Sequence, residues 1–317
     1  MIDLVEIRAA AEVIAPEAVV TPVLRADALD ALTDARVFCK DESRQRAGAF
    51  KFRGAYNRLA HIPAEDRARG VVAVSSGNHG AAVACAAHLL GIAATVHVPE
   101  DVPAAKRALI ERFGADIVTF PRSIADREAA ARRQVEATGA TFVHPFEDPL
   151  VMAGQGTAAL ELHQQVGALD ALVVPMSGGG LMAGCASAIH QLDRGCELIG
   201  VEPDAADDTR RSFAAGRPVR IPSPTTIADG LAVTAPGERT FAINRELVSE
   251  VVTVTDAQLV DAMRMILDLL GRRVEPSGAA AVAALLGAPG RFAGRRVGVI
   301  LSGGNIDDAR FDALVAG

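Results

Sequence analysis

Three apolar runs in this chain each end in a serine–glycine turn that gives way to a helical pattern. Residues 71–75 lead into Ser75-Ser76-Gly77-Asn78-His79-Gly80, 171–175 into Ser177-Gly178-Gly179-Gly180, and 296–301 into Ser302-Gly303-Gly304-Asn305. Short apolar runs bounded by turn signals read as buried strands, and strands alternating with helices imply a parallel sheet covered on its faces. Further strands are expected at 37–40, 94–98, 117–120, 141–143, 198–201 and 251–254. Helices are expected at 3–15, 51–59, 77–90, 103–113, 124–137, 154–166, 181–192, 256–270 and 277–286, with Asp256 as a cap. The rhythm runs in two series, one before Pro149 and one after it. The fold class is therefore α/β, with two αβα lobes that each carry a mostly parallel twisted sheet. Residues 70–146 are expected to form a smaller lobe, and 1–69 with 147–317 a larger one.

Composition narrows what such a fold can do. Half of the 317 residues are hydrophobic, ample for a core. No apolar run approaches the roughly eighteen residues that span a bilayer. The start, Met1-Ile2-Asp3-Leu4-Val5-Glu6, lacks the basic and apolar character of a signal peptide, so a cytoplasmic location is expected. A formal charge of −7 argues against nucleic acid or an anionic membrane as the main partner. Cys39, Cys85, Cys185 and Cys196 show no CxxC spacing and read as buried, reduced thiols.

In open parallel sheets, ligands sit beyond the carboxyl ends of strands, where all three turns lie. Ser177-Gly178-Gly179-Gly180 lets backbone N–H groups converge on an anion at a helix N-terminus. It lacks both GxGxxG spacing and the Walker lysine, which disfavours a dinucleotide or ATP. The hydroxyls and amides of Ser75-Ser76-Gly77-Asn78-His79-Gly80 can grip a carboxylate, and the Asn78 amide can donate to a phenolate oxygen. Ser302 would be a neutral partner for a pyridine nitrogen. A fourth stretch, Gly48-Ala49-Phe50-Lys51-Phe52-Arg53-Gly54-Ala55, sets a lysine between two phenylalanines. Burial there disfavours the ammonium, and a neutral amine can form a Schiff base with an aldehyde.

Taken together, these motifs resemble the fold type II pyridoxal-phosphate enzymes, specifically the serine/threonine dehydratase and serine racemase family. The similarity runs from Thr21-Pro22 to the Ser-Gly-Gly-Asn ending. Ala49 stands where the family commonly has serine, and Ser177 where it often has a first glycine. The resemblance implies pyridoxal 5'-phosphate as cofactor and Lys51 as its Schiff-base residue. Phe50, Asn78, Ser177, Gly178, Gly179, Gly180, Leu181 and Ser302 complete the implied cofactor site. Ser75, Ser76, Asn78, His79 and Arg127 are the implied substrate residues, with Arg127 suited to a distal carboxylate. Ser76 would be a second acid/base on the opposite face of the cofactor from Lys51. The implied reaction is β-elimination from a small β-hydroxy amino acid (L-serine, L-threonine or threo-3-hydroxyaspartate), giving a 2-oxo acid and ammonia. A serine or aspartate racemase with side dehydratase activity is the alternative, and a non-catalytic cofactor-binding module a remoter one. A homodimer is also implied, and with no room after residue 317 for an appended regulatory domain, feedback control is not expected.

Within the acidic run from Glu202 to Asp208, two carboxylates and an intervening carbonyl would form a hard-oxygen set suited to Mg²⁺ or Ca²⁺; the plainer reading is a solvated loop. The resemblance favours the cation, Mg²⁺ (or Ca²⁺/Mn²⁺), held by Glu202, the Ala206 carbonyl and Asp208.

Overall fold

A computed structural model of the protein describes residues 1–102, 104–121 and 129–316. Its strands are β1 (Val23–Leu24), β2 (Arg36–Asp41), β3 (Val71–Val74), β4 (Ala94–Pro99), β5 (Asp116–Phe120), β6 (Thr141–Phe142), β7 (Ala171–Pro175), β8 (Glu197–Pro203), β9 (Glu250–Val254) and β10 (Arg296–Leu301). They form two sheets, β1-β2-β10-β7-β8-β9 and β5-β4-β3-β6. Every pairing is parallel except β1 with β2. Both faces of the six-stranded sheet are covered. Val37, Val173 and Val299 pack into one apolar cluster, and Phe38, Leu172 and Ile300 into another. The two-faced burial expected of unalternated strands is thus met. In the four-stranded sheet β5 is more exposed, with only Phe120 buried along it.

Two expectations need correction. The helix predicted at 154–166 begins five residues earlier and spans Pro149–Val166. Asp148 accepts from the Leu150 amide at 2.8 Å, and proline at the first helical position has no N–H to leave unpaired. Pro149 therefore starts this helix instead of breaking the chain before it. Asp256 does not cap its helix either. Thr255 does, in a reciprocal box with Gln258, while Asp256 receives the Thr226 hydroxyl and the Ile227 amide.

Three helices pack in sequence, Lys51–Ala60 on Pro149–Val166 and Pro149–Val166 on Gly180–Leu192. Glycine makes this possible at two crossings. A Cβ on Gly154 would lie 2.6 Å from the Gly54 Cα and from the Arg53 carbonyl oxygen. At the second crossing, a Cβ on Gly184 would meet the Met152 carbonyl and lie 2.6 Å from the Gly156 amide nitrogen. The obstacles are backbone, so a methyl group cannot be accommodated by a rotamer change. Gly184→Ala is expected to destabilise the fold by roughly 2–3 kcal/mol, read as a lower denaturant midpoint with an unchanged slope; an unchanged midpoint would mean that the crossing is loosely packed.

Candidate active site

Lys51 opens the helix Lys51–Ala60, directly after a turn that is tied to the end of β10. The Phe50 amide donates to the Ser302 carbonyl at 3.1 Å, the Gly304 amide to the Gly48 carbonyl at 2.9 Å, and Ala49 bridges Gly303. The lysine side chain is partly buried. Its Nζ donates to the Pro145 carbonyl at 2.8 Å and lies 5.2 Å from the centre of the Phe50 ring. Burial pushes its pKa down to about 8 from the ordinary 10.5. Neither partner carries a formal negative charge, so nothing restores the preference for the ammonium.

The other strand-end turns meet this lysine loop. Asn78 begins the helix Asn78–Leu90; its Nδ2 donates to Glu275 at 2.6 Å, and its Oδ1 accepts from Asn305 at 2.7 Å. Asn305 in turn donates to the Ala47 carbonyl at 2.7 Å. Glu275 is buried, which raises its pKa to about 7. Ser75 accepts from the Gly77 amide at 3.2 Å. The Ser76 hydroxyl, partly buried, has no hydrogen-bond partner among the described residues. His79 is buried, with Nε2 2.9 Å from the Val143 carbonyl oxygen, to which it donates. Burial, then the nearby Lys51 charge, push its pKa down to about 3, so the ring is neutral. Ser302 is buried and donates to the Ser277 carbonyl at 3.4 Å.

The glycine loop opens the helix Gly180–Leu192, whose cap residue Gly179 has φ of +91°. Ser177 is partly buried, and Leu181 lies in the core. A Cβ on Gly178 would collide with the Phe146 ring, and one on Gly180 would lie 2.8 Å from the Phe146 Cβ. Phe146 thus joins the loop to Pro145, the acceptor of the Lys51 amine. Neither the Gly180–Leu192 nor the Asn78–Leu90 helix has a side-chain cap at its N-terminus. Nothing lies within 4 Å of a Cβ built on Gly77, so that turn faces open space. Two uncapped helix starts beside a lysine with a depressed pKa form a donor set that fits a phosphorylated aldehyde and a carboxylate.

Glu202 and Asp208 are fully buried. Glu202 accepts from the Thr209 and Arg210 amides, both at 3.0 Å, whereas neither carboxylate oxygen of Asp208 has a partner. Burial raises Glu202 to about 7; burial and then the Glu202 charge raise Asp208 to about 8. Ala206, which lies between them in sequence, is also buried. No group of three or more His, Cys, Asp or Glu side chains that could hold a metal occurs among the described residues. Arg127 lies outside the described residues. All four cysteines are free and buried.

Two parts of the site escaped sequence reasoning. Glu275 precedes Pro276-Ser277-Gly278 and an apolar helix, which signals a helix start and no more. The segment His144-Pro145-Phe146-Glu147-Asp148 carries no familiar spacing, yet it touches Lys51, the glycine loop and two helix starts.

With this geometry in place, comparison with known proteins is informative. Residues 14–303 match the family model described as "Pyridoxal-phosphate dependent enzyme". The chain belongs to that family. It is 46% identical over 297 residues to an L-threo-3-hydroxyaspartate ammonia-lyase from Pseudomonas sp, covering 94% of this chain and 93% of the relative. It is 42% identical over 310 residues to a serine racemase from Oryza sativa subsp. indica, covering 96% and 91%. A solved structure of maize serine racemase superposes with a TM-score of 0.94 at 41% identity, covering 97% of this chain and 95% of the other. The α/β architecture with two parallel-sheet lobes is that of the fold type II enzymes.

The lysine offers a direct check. The rate at which cofactor-free protein captures pyridoxal phosphate follows the neutral amine, so it is expected to rise with pH to about 8 and then level off. A rate still climbing steeply at about pH 10, where an ordinary lysine titrates, would show that the amine is unperturbed.

Proposed function

We propose that this protein is a pyridoxal-phosphate-dependent ammonia-lyase that eliminates water from a small β-hydroxy amino acid, with L-threo-3-hydroxyaspartate as the first candidate substrate. The observation that carries the reading is Lys51, a partly buried amine with a depressed pKa at the point where three strand-end turns meet. The identity of the substrate rests on hydroxyaspartate ammonia-lyases among the most similar relatives. Residues 70–146 would form the substrate lobe, with the remainder holding the cofactor.

When bound, the cofactor supplies an electron sink that acidifies the Cα–H of an attached amino acid. Lys51 is the residue that would hold it through Nζ, and a substrate amine would have to displace that bond. The released amine, neutral in substantial part near physiological pH, then takes the Cα proton. Ser75, Ser76 and the uncapped helix start at Asn78 bind the substrate α-carboxylate. The Asn78 amide orients the ring oxygen. Ser302 would offer the ring nitrogen a neutral hydroxyl, which limits charge build-up in the ring; the proton taken by Lys51 would then go to the β-hydroxyl, so that it departs as water. The enamine so released tautomerises and hydrolyses to a 2-oxo acid and ammonia. The amides following Gly178 and Gly179 hold the phosphate.

For hydroxyaspartate, oxaloacetate and ammonia are expected in equal amounts. Lys51→Ala is expected to remove the visible absorbance of the loaded protein and to lower turnover by roughly 10³-fold or more; turnover retained by this variant would exclude the assigned role. One observation favours a racemase as the second reading: the Ser76 hydroxyl, without a hydrogen-bond partner among the described residues, can return a proton from the other face. Ser76→Ala should then lose racemisation while elimination from one enantiomer persists.

The acidic turn completes the proposal. Two buried carboxylates, one with both oxygens unpartnered, fit a hard divalent cation held by Glu202, Asp208 and the Ala206 carbonyl. The cation would neutralise the pair and fix the Asp208–Ala215 helix, a structural role. Mg²⁺ at about a hundred times its dissociation constant is expected to add roughly 2.7 kcal/mol, several degrees in Tm, and Asp208→Asn to abolish that increment. An equal Mg²⁺ response in the variant would remove the ion from this turn. Assembly as a cytoplasmic homodimer belongs to the same proposal.

A further inference from the structure

The glycine loop is held from behind by a helix that sequence reasoning did not anticipate, Glu238–Leu247. Thr240 and Asn244 stand one turn apart on it, both buried. The Thr240 hydroxyl has a single proton and three neighbouring oxygens: Gly178 O at 2.6 Å, Gly237 O at 3.2 Å and Glu147 Oε1 at 3.3 Å. The shortest contact takes it, so Thr240 donates to the Gly178 carbonyl. Asn244 Nδ2 donates to the Gly179 carbonyl at 3.1 Å. A trans peptide is planar, with its C=O and N–H pointing in opposite directions. Fixing the Gly178 carbonyl on Thr240 therefore turns the Gly179 N–H away from the helix. Fixing the Gly179 carbonyl on Asn244 does the same for the Gly180 N–H. Glycine is flexible enough to lose this orientation unless something outside the loop imposes it.

The helix itself is fixed by Glu147. Its carboxylate accepts from the Arg239 amide at 3.1 Å through Oε2 and from the Thr240 amide at 3.1 Å through Oε1. Gly237, the cap residue, has no side chain, and a Cβ there would collide with Glu147 Oε1. Glu147 thus supplies from 93 residues away the acceptor that a capping side chain would supply locally. It also belongs to the segment whose Pro145 carbonyl receives Lys51 and whose Phe146 ring covers Gly178.

We propose that Glu147 is a positioning residue for cofactor phosphate: by capping the Glu238–Leu247 helix it sets Thr240 and Asn244, and through them aims the Gly179 and Gly180 amides. The inference rests on the reading of the glycine loop as the phosphate site. Its test uses cofactor-free protein and compares the dissociation constants of pyridoxal phosphate and of pyridoxal, which lacks the phosphate, by absorbance titration.

Wild-type protein is expected to bind pyridoxal phosphate far more tightly than pyridoxal; equal affinities would overturn the phosphate reading itself. Glu147→Ala is expected to weaken pyridoxal phosphate by about tenfold or more while shifting pyridoxal by less than about twofold. Thr240→Val, which keeps the shape and removes the hydroxyl, should show the same selective loss and serves if Glu147→Ala does not fold. With wild-type selectivity established, parallel weakening of both ligands would reduce Glu147 to a general structural role. Unchanged or tighter phosphate binding in both variants would overturn the brace.

Discussion

The placement of Lys51 depends on a buried ion cluster two residues further along its helix. Arg53 has no exposed surface and grips two carboxylates, Glu42 through Nε and Nη2 at 2.7 and 2.8 Å and Glu161 through Nη1 and Nη2 at 2.7 and 2.9 Å. Lys40 adds a second cation on Glu161 at 2.8 Å. Two positive and two negative charges balance. Burial alone would lower the Arg53 pKa, yet Glu42 and Glu161 reverse this and hold it above its ordinary value. Such a cluster adds little net stability, because desolvation offsets most of the attraction, but removing one member strands the others. Its effect is geometric. It joins β2, the turn after it, the lysine helix and the Pro149–Val166 helix at one point. Residues two apart on a helix face different ways, so anchoring Arg53 inward leaves Lys51 facing the segment at Pro145.

From that anchor the site is assembled by contacts between distant parts of the chain. β10 holds the lysine turn through Ser302 and Gly304, Asn78 reaches Glu275 across 197 residues, and Asn305 links Asn78 back to Ala47. Lys106 pairs with Asp229 across the two sheets' territories. The glycines at 178 and 180 answer to Phe146 as much as to any ligand. Their small size lets the ring lie on the loop, and the ring in turn brings the Pro145 carbonyl to the lysine.

How much of this could be read from the chain follows from the range of the contacts. Buried strands followed by serine and glycine are local patterns, and β7 and β10 fall at the expected residues. Lys51 was legible because its flanking phenylalanines and glycines are its neighbours in sequence. Glu275 and Glu147 were not, because a lone glutamate before a proline or an aspartate has no local signature. Their partners lie 197 and 93 residues away. The Glu238–Leu247 helix was missed for a related reason: its cap comes from Glu147, and the glycine at its own start gives no signal. The early start at Pro149 shows the opposite error, a local proline taken for a break where an aspartate before it made a cap.

Two lysines in this chain show what the site asks of its surroundings. Lys40 and Lys51 are both withdrawn from water, and burial lowers both pKa values. Around Lys40, Glu161 opposes that shift with a charge and a hydrogen bond, and ties the amine into a charge-balanced cluster. Around Lys51 the acceptor is a peptide carbonyl and the adjacent surface is the Phe50 ring; neither carries a formal charge, and burial acts unopposed. An amine meant to exchange its bond with a substrate and then to take a proton must be neutral part of the time and must not be locked into an ion pair. The difference between a structural and a reactive lysine here is therefore the oxygen each one meets, a carboxylate for one and a carbonyl for the other.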